Sequence, residues 1–248
     1  DGYANGGIRN KNDYLNLFTN FSHKICGDMS NDYFYHYKKS IFNIKKIYNS
    51  ENCDLPKIII LIRNPYARVI SQFYHIKRII NWNYNFVEHF NGSENFSKKK
   101  FSWIFDLKGS GMTYDAVRAY QREFKNIRIY FYDDLINGNL NEEIGFFLKL
   151  SKKLPNNFPS KNMGIYFNEN SLTKKIINLI LLIEDRLNNY DNNIFSRISK
   201  KIVIKIKTFF FPIVVTGEDA MKIKLISKIK PFYNKDISKL EQLLKKDL

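Results

Sequence analysis

The 248-residue chain is 44% hydrophobic and 16% aromatic, which indicates a packed globular protein and excludes an intrinsically disordered one. Its length suits a single sizeable domain, which we expect to span residues 1–248. The net charge of +16 would suit a polyanionic partner, but an AT-rich codon bias toward Asn, Ile, Lys, Phe and Tyr explains the charge equally well.

Several classes of site are disfavoured by what the sequence contains. The two cysteines, Cys26 and Cys53, are too few for a disulfide framework, and neither they nor the four histidines show metal-ligand spacing. No apolar run reaches the roughly 18 residues of a membrane span, and two lysines interrupt the best candidate, 202–215. The chain begins at Asp1 without a methionine or a signal peptide, so we expect it to be incomplete at its N-terminus.

The first half of the chain alternates predicted helices and strands. A helix is predicted at 12–18, a short strand at 23–29 that ends near Asp28, and a helix at 34–48 from its helical spacing of isoleucines. Ile58 to Ile62 contains only Ile and Leu, which favours a parallel strand buried on both faces.

The second half continues the same order. Asn64 and Pro65 are typical of an N-cap and a first helical position, so a helix is predicted from Pro65 to about Ile80. A loop at 91–100, a helix at 113–124, a strand at 127–132, a helix at 141–150 and a mainly helical region from 171 follow. Strand–helix–strand order predicts an α/β fold with a parallel sheet and a helical C-terminal part.

Arg63 follows the strand 58–62 directly and is the first candidate site residue. Ligands of open parallel sheets collect beyond the carboxyl ends of the strands, and a guanidinium can pair with a phosphate through two hydrogen bonds. The helix from Pro65 would add its positive dipole end and free backbone N–H groups, and the hydroxyl of Ser71 could donate as well. The alternative makes Arg63 a structural salt-bridge partner and Ser71 an exposed helix residue.

The stretch Ile60 to His75, ILIRNPYARVISQFYH, resembles the 3′-phosphate-binding segment of sulfotransferases that use 3′-phosphoadenosine 5′-phosphosulfate (PAPS). The resemblance implies that Arg63 and Ser71 contact the 3′-phosphate and that Arg68 gives structural support. Weaker similarities to the same family lie, in the family's order, at 13–33, 111–114, 129–135, 146–148 and 233–248.

The resemblance implies an α/β fold with a three-layer parallel sheet of the P-loop-NTPase-like sulfotransferase type. It also implies an enzyme that transfers a sulfuryl group from PAPS to a hydroxyl or amine, leaving 3′,5′-adenosine bisphosphate. The implied acceptor is a glycan or a small hydroxyl compound, with no metal and no specific nucleic-acid partner. The implied compartment is the cytoplasm for a bacterial protein, or the Golgi lumen behind an N-terminal anchor.

The family's phosphosulfate-binding loop, of the type Pro-Lys-x-Gly-Thr-Thr, has no counterpart in these 248 residues, so we expect it upstream. Asp28 is the candidate catalytic base, with a capping role as the alternative, and the lysine that follows it in many relatives is Met29 here. Two other functions stay open: a non-catalytic polyanion- or nucleotide-binding module, and a P-loop-type kinase, against which the missing glycine-rich loop argues.

Overall fold

The computed structural model describes residues 10–21, 24–30, 32–79, 84–96, 102–138, 140–155 and 218–245. Within these ranges the fold is mixed α/β, with helices around a parallel sheet of two strands. The strands are β1 (Ile58–Ile62) and β2 (Ile127–Phe131). The helices are α1 (Lys11–Asn16), α2 (Tyr37–Ser50), α3 (Pro65–Ile79), α4 (Phe86–Asn91), α5 (Ser102–Phe105), α6 (Leu107–Gly111), α7 (Tyr114–Glu123), α8 (Tyr132–Ile136), α9 (Asn141–Leu148) and α10 (Glu218–Leu244), with 3₁₀ turns at Thr19–Phe21 and Ser93–Phe96.

The sheet confirms two predicted strands but not their predicted burial. β1 and β2 run parallel, with Ile58 opposite Ile127 and Ile62 opposite Phe131. Ile60 and Ile62 are buried with residues of α2 and α7, whereas Ile59 is 40% exposed and Leu61 is 44% exposed. Successive strand residues point to opposite faces, so one face of β1 is buried and the prediction of burial on both faces was wrong.

The predicted helix after β1 is confirmed, and it begins at the predicted residue, Pro65. Pro65 is the first residue of α3, where its fixed φ and missing N–H are tolerated. The side-chain oxygen of Asn64 accepts hydrogen bonds from the backbone N–H groups of Tyr66 (3.0 Å) and Ala67 (3.2 Å). Asn64 is therefore the N-cap that the sequence predicted.

Among the described residues two hydrophobic clusters form the core, and α10 contributes to both. The first joins α3, α4, α6 and α10, and the second joins the sheet, α2, α7 and α10. Tyr233 of α10 is fully buried in the first cluster, where its hydroxyl donates to the carbonyl oxygen of Leu107 at 2.9 Å. A Cβ on Gly111 would lie 2.6 Å from the Tyr233 hydroxyl, so only glycine fits this close approach.

Several predictions concern residues outside the described ranges. These are the apolar run 202–215, the helical region between 171 and 217, and part of the 91–100 loop. Within the described ranges, α10 confirms that the C-terminal part is helical. None of the described helices combines the length and the apolar character needed to cross a membrane.

Candidate anion-binding site

Arg63 lies at the carboxyl end of β1, beside the first residue after β2. Because Ile62 pairs with Phe131, the next residues along the two strands, Arg63 and Tyr132, come side by side. The guanidinium carbon of Arg63 lies 4.9 Å from the centroid of the Tyr132 ring, which is cation–π contact. Within the described residues Arg63 makes no hydrogen bond or ion pair, so its donors are available and the salt-bridge alternative has no support there.

The N-terminus of α3 contributes its dipole to this edge, but not free N–H groups. Pro65 has none, the N–H groups of Tyr66 and Ala67 donate to Asn64, and the N–H of Arg68 donates to the Asn64 carbonyl oxygen at 2.9 Å. The expectation of free backbone donors was therefore wrong, because the N-cap uses them. An anion at this edge would have to be held by side chains.

Ser71 and Arg68 share one face of α3, since they are three residues apart. Both are partly buried, and within the described residues neither the Ser71 hydroxyl nor the Arg68 guanidinium has a hydrogen-bond or ion-pair partner. The Nη1 atom of Arg68 is fully buried without a partner, and burial lowers the pKa of this guanidinium. An unpaired buried cation is costly, and a nearby anion would offset that cost.

Asp28 occupies a different environment from the one predicted. Residues 24–30 have no regular structure, so the predicted strand ending at Asp28 was wrong. Its Oδ2 atom accepts hydrogen bonds from the hydroxyls of Tyr33 (2.6 Å) and Tyr14 (2.9 Å), and it ties α1 to the segment before α2. Burial, together with the hydrogen bond to Asp28, raises the pKa of both tyrosines. These contacts do not bring Asp28 to Arg63 or Ser71.

Tyr132 is the site residue that sequence reasoning missed. A signal existed, because parallel strands 58–62 and 127–132 were both predicted and each places a residue at the same sheet edge. The register, which only the structure supplies, decides that Tyr132 is the neighbour of Arg63. Tyr132 fixes one face of the guanidinium and leaves its edges able to donate.

Acidic residues follow Tyr132 in the first turn of α8. Asp133 and Asp134 lie there, and the helix has no side-chain N-cap. Carboxylates at this position stabilise a helix, because they interact favourably with the positive end of its dipole. Within the described ranges there is no group of three or more His, Cys, Asp or Glu side chains that could hold a metal ion.

Comparison with known proteins identifies the fold. No family model and no curated protein sequence matches the chain. Among solved structures, the chain is similar to a sulfotransferase from Alicyclobacillus acidocaldarius, with a TM-score of 0.58 and 16% sequence identity over 97% of this chain and 73% of that one. At this identity the likeness shows a shared fold, so the sulfotransferase-like fold implied by the sequence is confirmed.

Proposed function

We propose that this chain holds the 3′-phosphate of PAPS and forms part of a sulfotransferase that acts on a hydroxyl or amine of an acceptor, in particular a carbohydrate. The observation that carries the proposal is that three side chains at and after the end of β1 have no hydrogen-bond or ion-pair partner within the described residues: Arg63 at the strand end, and Arg68 and Ser71 on α3. The sulfotransferase-like fold supports it.

The donor set fits a phosphate group. Arg63 would pair with two phosphate oxygens while Tyr132 holds its plane, and Ser71 would donate a third hydrogen bond. The buried charge of Arg68 and the dipole of α3 would add to the positive potential without direct contact. Arg68 would therefore have an electrostatic role in place of the structural support that the family resemblance implies.

PAPS would supply the sulfuryl group and leave as 3′,5′-adenosine bisphosphate. The chain's own residues would bind and orient the nucleotide at the sheet edge, which is the positioning contribution to the reaction. For the base, Asp28 is our candidate through Oδ1, because Oδ2 already accepts hydrogen bonds from Tyr14 and Tyr33. The proposed whole fold is a three-layer sheet of the P-loop-NTPase-like type.

Calorimetry with 3′,5′-adenosine bisphosphate tests the proposal. The protein should bind the bisphosphate more tightly than 5′-AMP, which lacks the 3′-phosphate. Arg63→Ala should weaken bisphosphate binding by about 1.5–3 kcal/mol, the range for hydrogen bonds to charged groups, and should affect AMP much less. Arg128→Ala, which removes an exposed arginine outside the site, is the matched control.

Other outcomes of the calorimetry would contradict the proposal. If bisphosphate binding is absent, or if Arg63→Ala and Arg128→Ala behave alike, the nucleotide site is not where we propose it. Binding of heparin-like chains with a steep salt dependence and no nucleotide requirement would instead support the polyanion-binding module, for which the net charge of +16 is the motivating observation.

A further inference from the structure

A groove of about 870 Å³ lies between α2 and α7, on the helical layer that covers one face of the sheet. Most of its surface is apolar, with Ile41 and Phe42 of α2 facing Ala119 of α7. Phe42 is 63% exposed to solvent, and the burial of its ring against an apolar partner would be energetically favourable. This groove, which we call the α2–α7 groove, is separate from the nucleotide site proposed above.

The rim of the α2–α7 groove is strongly basic. Its cations are Lys38, Lys45, Lys46, Arg118 and Arg122, against the carboxylates Asp115 and Glu123. Glu123 is already neutralised, because Lys45 (2.7 Å) and Arg122 (2.9 Å) both pair with it, and these contacts lower its pKa.

Three of the rim cations are left to face a ligand. Within the described residues, Lys46 and Arg118 have no hydrogen-bond or ion-pair partner, and Lys38 makes only cation–π contact with the Tyr37 ring. The groove therefore combines an apolar floor with a positive rim whose charge is largely uncompensated.

We propose that the α2–α7 groove binds an acidic amphipathic helix of a partner protein. The apolar floor requires an apolar face on the ligand, and the rim requires acidic residues on either side of that face. A helix offers both at once, and the 14 residues of α2, about 21 Å at 1.5 Å per residue, provide a wall for three to four turns.

Other occupants match these features less well. A second copy of this chain carries the same net charge of +16 and would be repelled. An acidic glycan would satisfy the cations, but its hydroxyl-rich surface would leave Phe42 and the apolar floor without a matching partner.

Fluorescence anisotropy with a labelled synthetic helix tests the proposal. The probe has leucines at positions i, i+3, i+4 and i+7 and glutamates on its flanks, and a second peptide has the same composition scrambled so that no apolar face forms. We expect the first peptide to bind and the scrambled one to bind at least about tenfold more weakly, because only the first presents a continuous apolar face.

Variants locate the binding on the protein. Phe42→Ser should weaken binding about tenfold or more, as expected for a residue at the centre of an interface. Arg118→Glu should weaken it by a similar factor, because it places a carboxylate against the glutamates of the probe. Phe146→Ser, at an 87% exposed phenylalanine outside the groove, is the matched control and should bind like the unmodified protein. Circular dichroism checks that each variant is folded, and the affinity for 3′,5′-adenosine bisphosphate should be unchanged in all three.

The proposal is overturned if no peptide binds, or if Phe42→Ser has no more effect than Phe146→Ser. It is also overturned if the scrambled peptide or a heparin-derived oligosaccharide of equal charge binds as tightly and responds equally to Arg118→Glu. That last result would make the groove a site for polyanions in general.

Discussion

The guanidinium of Arg68 is largely buried, and its Nη1 atom has no hydrogen-bond partner within the described residues. Even a buried ion pair can often be replaced by apolar side chains of similar size with no loss of stability or a gain of about 1–4 kcal/mol, and an unpaired buried charge lacks the attraction that offsets desolvation in such a pair. Arg68→Met should therefore leave the free energy of unfolding of the ligand-free protein unchanged or raise it. The same variant should lose part of the stabilisation that 3′,5′-adenosine bisphosphate gives, because the added positive potential is gone.

Urea unfolding with and without the bisphosphate measures both quantities. Arg63→Met is the control, because within the described part of the chain Arg63 contacts only the Tyr132 ring, and its loss should reduce the ligand-dependent stabilisation alone. A large loss of stability in Arg68→Met with an intact ligand effect would show that Arg68 has a purely structural role.

The tyrosines that share Asp28 give the protein a pH-dependent stability. Tyr14 and Tyr33 have raised pKa values in the folded state, through burial first and the Asp28 hydrogen bond second, so folding favours their neutral form. Their contribution is complete below the usual tyrosine pKa of about 10 and is lost as the pH rises above it. Asp28→Asn should lower both pKa values and reduce the fall in stability at high pH.

Ultraviolet titration of tyrosinate and unfolding at a series of alkaline pH values check this expectation. Asp54→Asn removes an exposed carboxylate outside the cluster and should change neither measurement. An unchanged tyrosine titration in Asp28→Asn would mean that burial alone keeps the two hydroxyls protonated.

Single residues at the sheet edge were predictable to the extent that their roles are local. The N-cap at Asn64 and the position of Arg63 follow from neighbours in the sequence, so both were found. The burial of Arg68 and the contact with Tyr132 depend on elements distant in sequence, α10 and β2 respectively. The sequence was therefore enough to predict which residues lie at the candidate site, but not which distant residues contact them.

The start of α7 depends on α10 through one carboxylate. Asp236 accepts hydrogen bonds from the backbone N–H of Thr113 (2.9 Å) and of Tyr114 (3.3 Å), so it caps a helix on which it does not lie. Loss of an N-cap costs about 0.5–2 kcal/mol, and Asp236→Ala should reduce the free energy of unfolding by that amount. Asp236→Asn should retain part of it, because its side-chain oxygen can still accept.

Chemical denaturation gives these values, and amide hydrogen exchange at Thr113 and Tyr114 locates the effect. Lys228→Ala, on the exposed face of α10, serves as the reference substitution. If exchange at these two amides is no faster in Asp236→Ala than in the reference, the carboxylate is not what holds the start of α7.

Among the elements, those with a strong local signal were predicted and those without one were not. β1, α3, α7 and β2 combine apolar periodicity with a cap or a breaker, and the structure confirms them within a few residues. The short apolar run at 23–29 has too little length to distinguish a strand from an extended segment. Residues 24–30 make no ladder with β1 or β2, which is why the prediction of a strand there was wrong.

At the scale of the molecule, the sequence predicted an α/β class but not how the layers close. The described sheet has two strands, with its buried face packed on α2, α7 and the end of α10. The apolar content of the sequence was enough to predict that a core exists. The arrangement of two clusters around one shared helix depends on contacts between residues more than a hundred positions apart, such as Tyr233 and Leu107. Local patterns contain no information about such pairs.

The shared helix α10 has a consequence for how the chain is made. It supplies Ile229 and Tyr233 to the first cluster and Leu240 to the second, so both clusters have an open side until residues 218–244 exist. During synthesis on a ribosome, α3, α7 and the sheet emerge long before their covering helix does. The nascent chain must therefore carry uncovered apolar surface on both clusters until residues 218–244 have left the ribosome, and that surface is prone to aggregation during this interval.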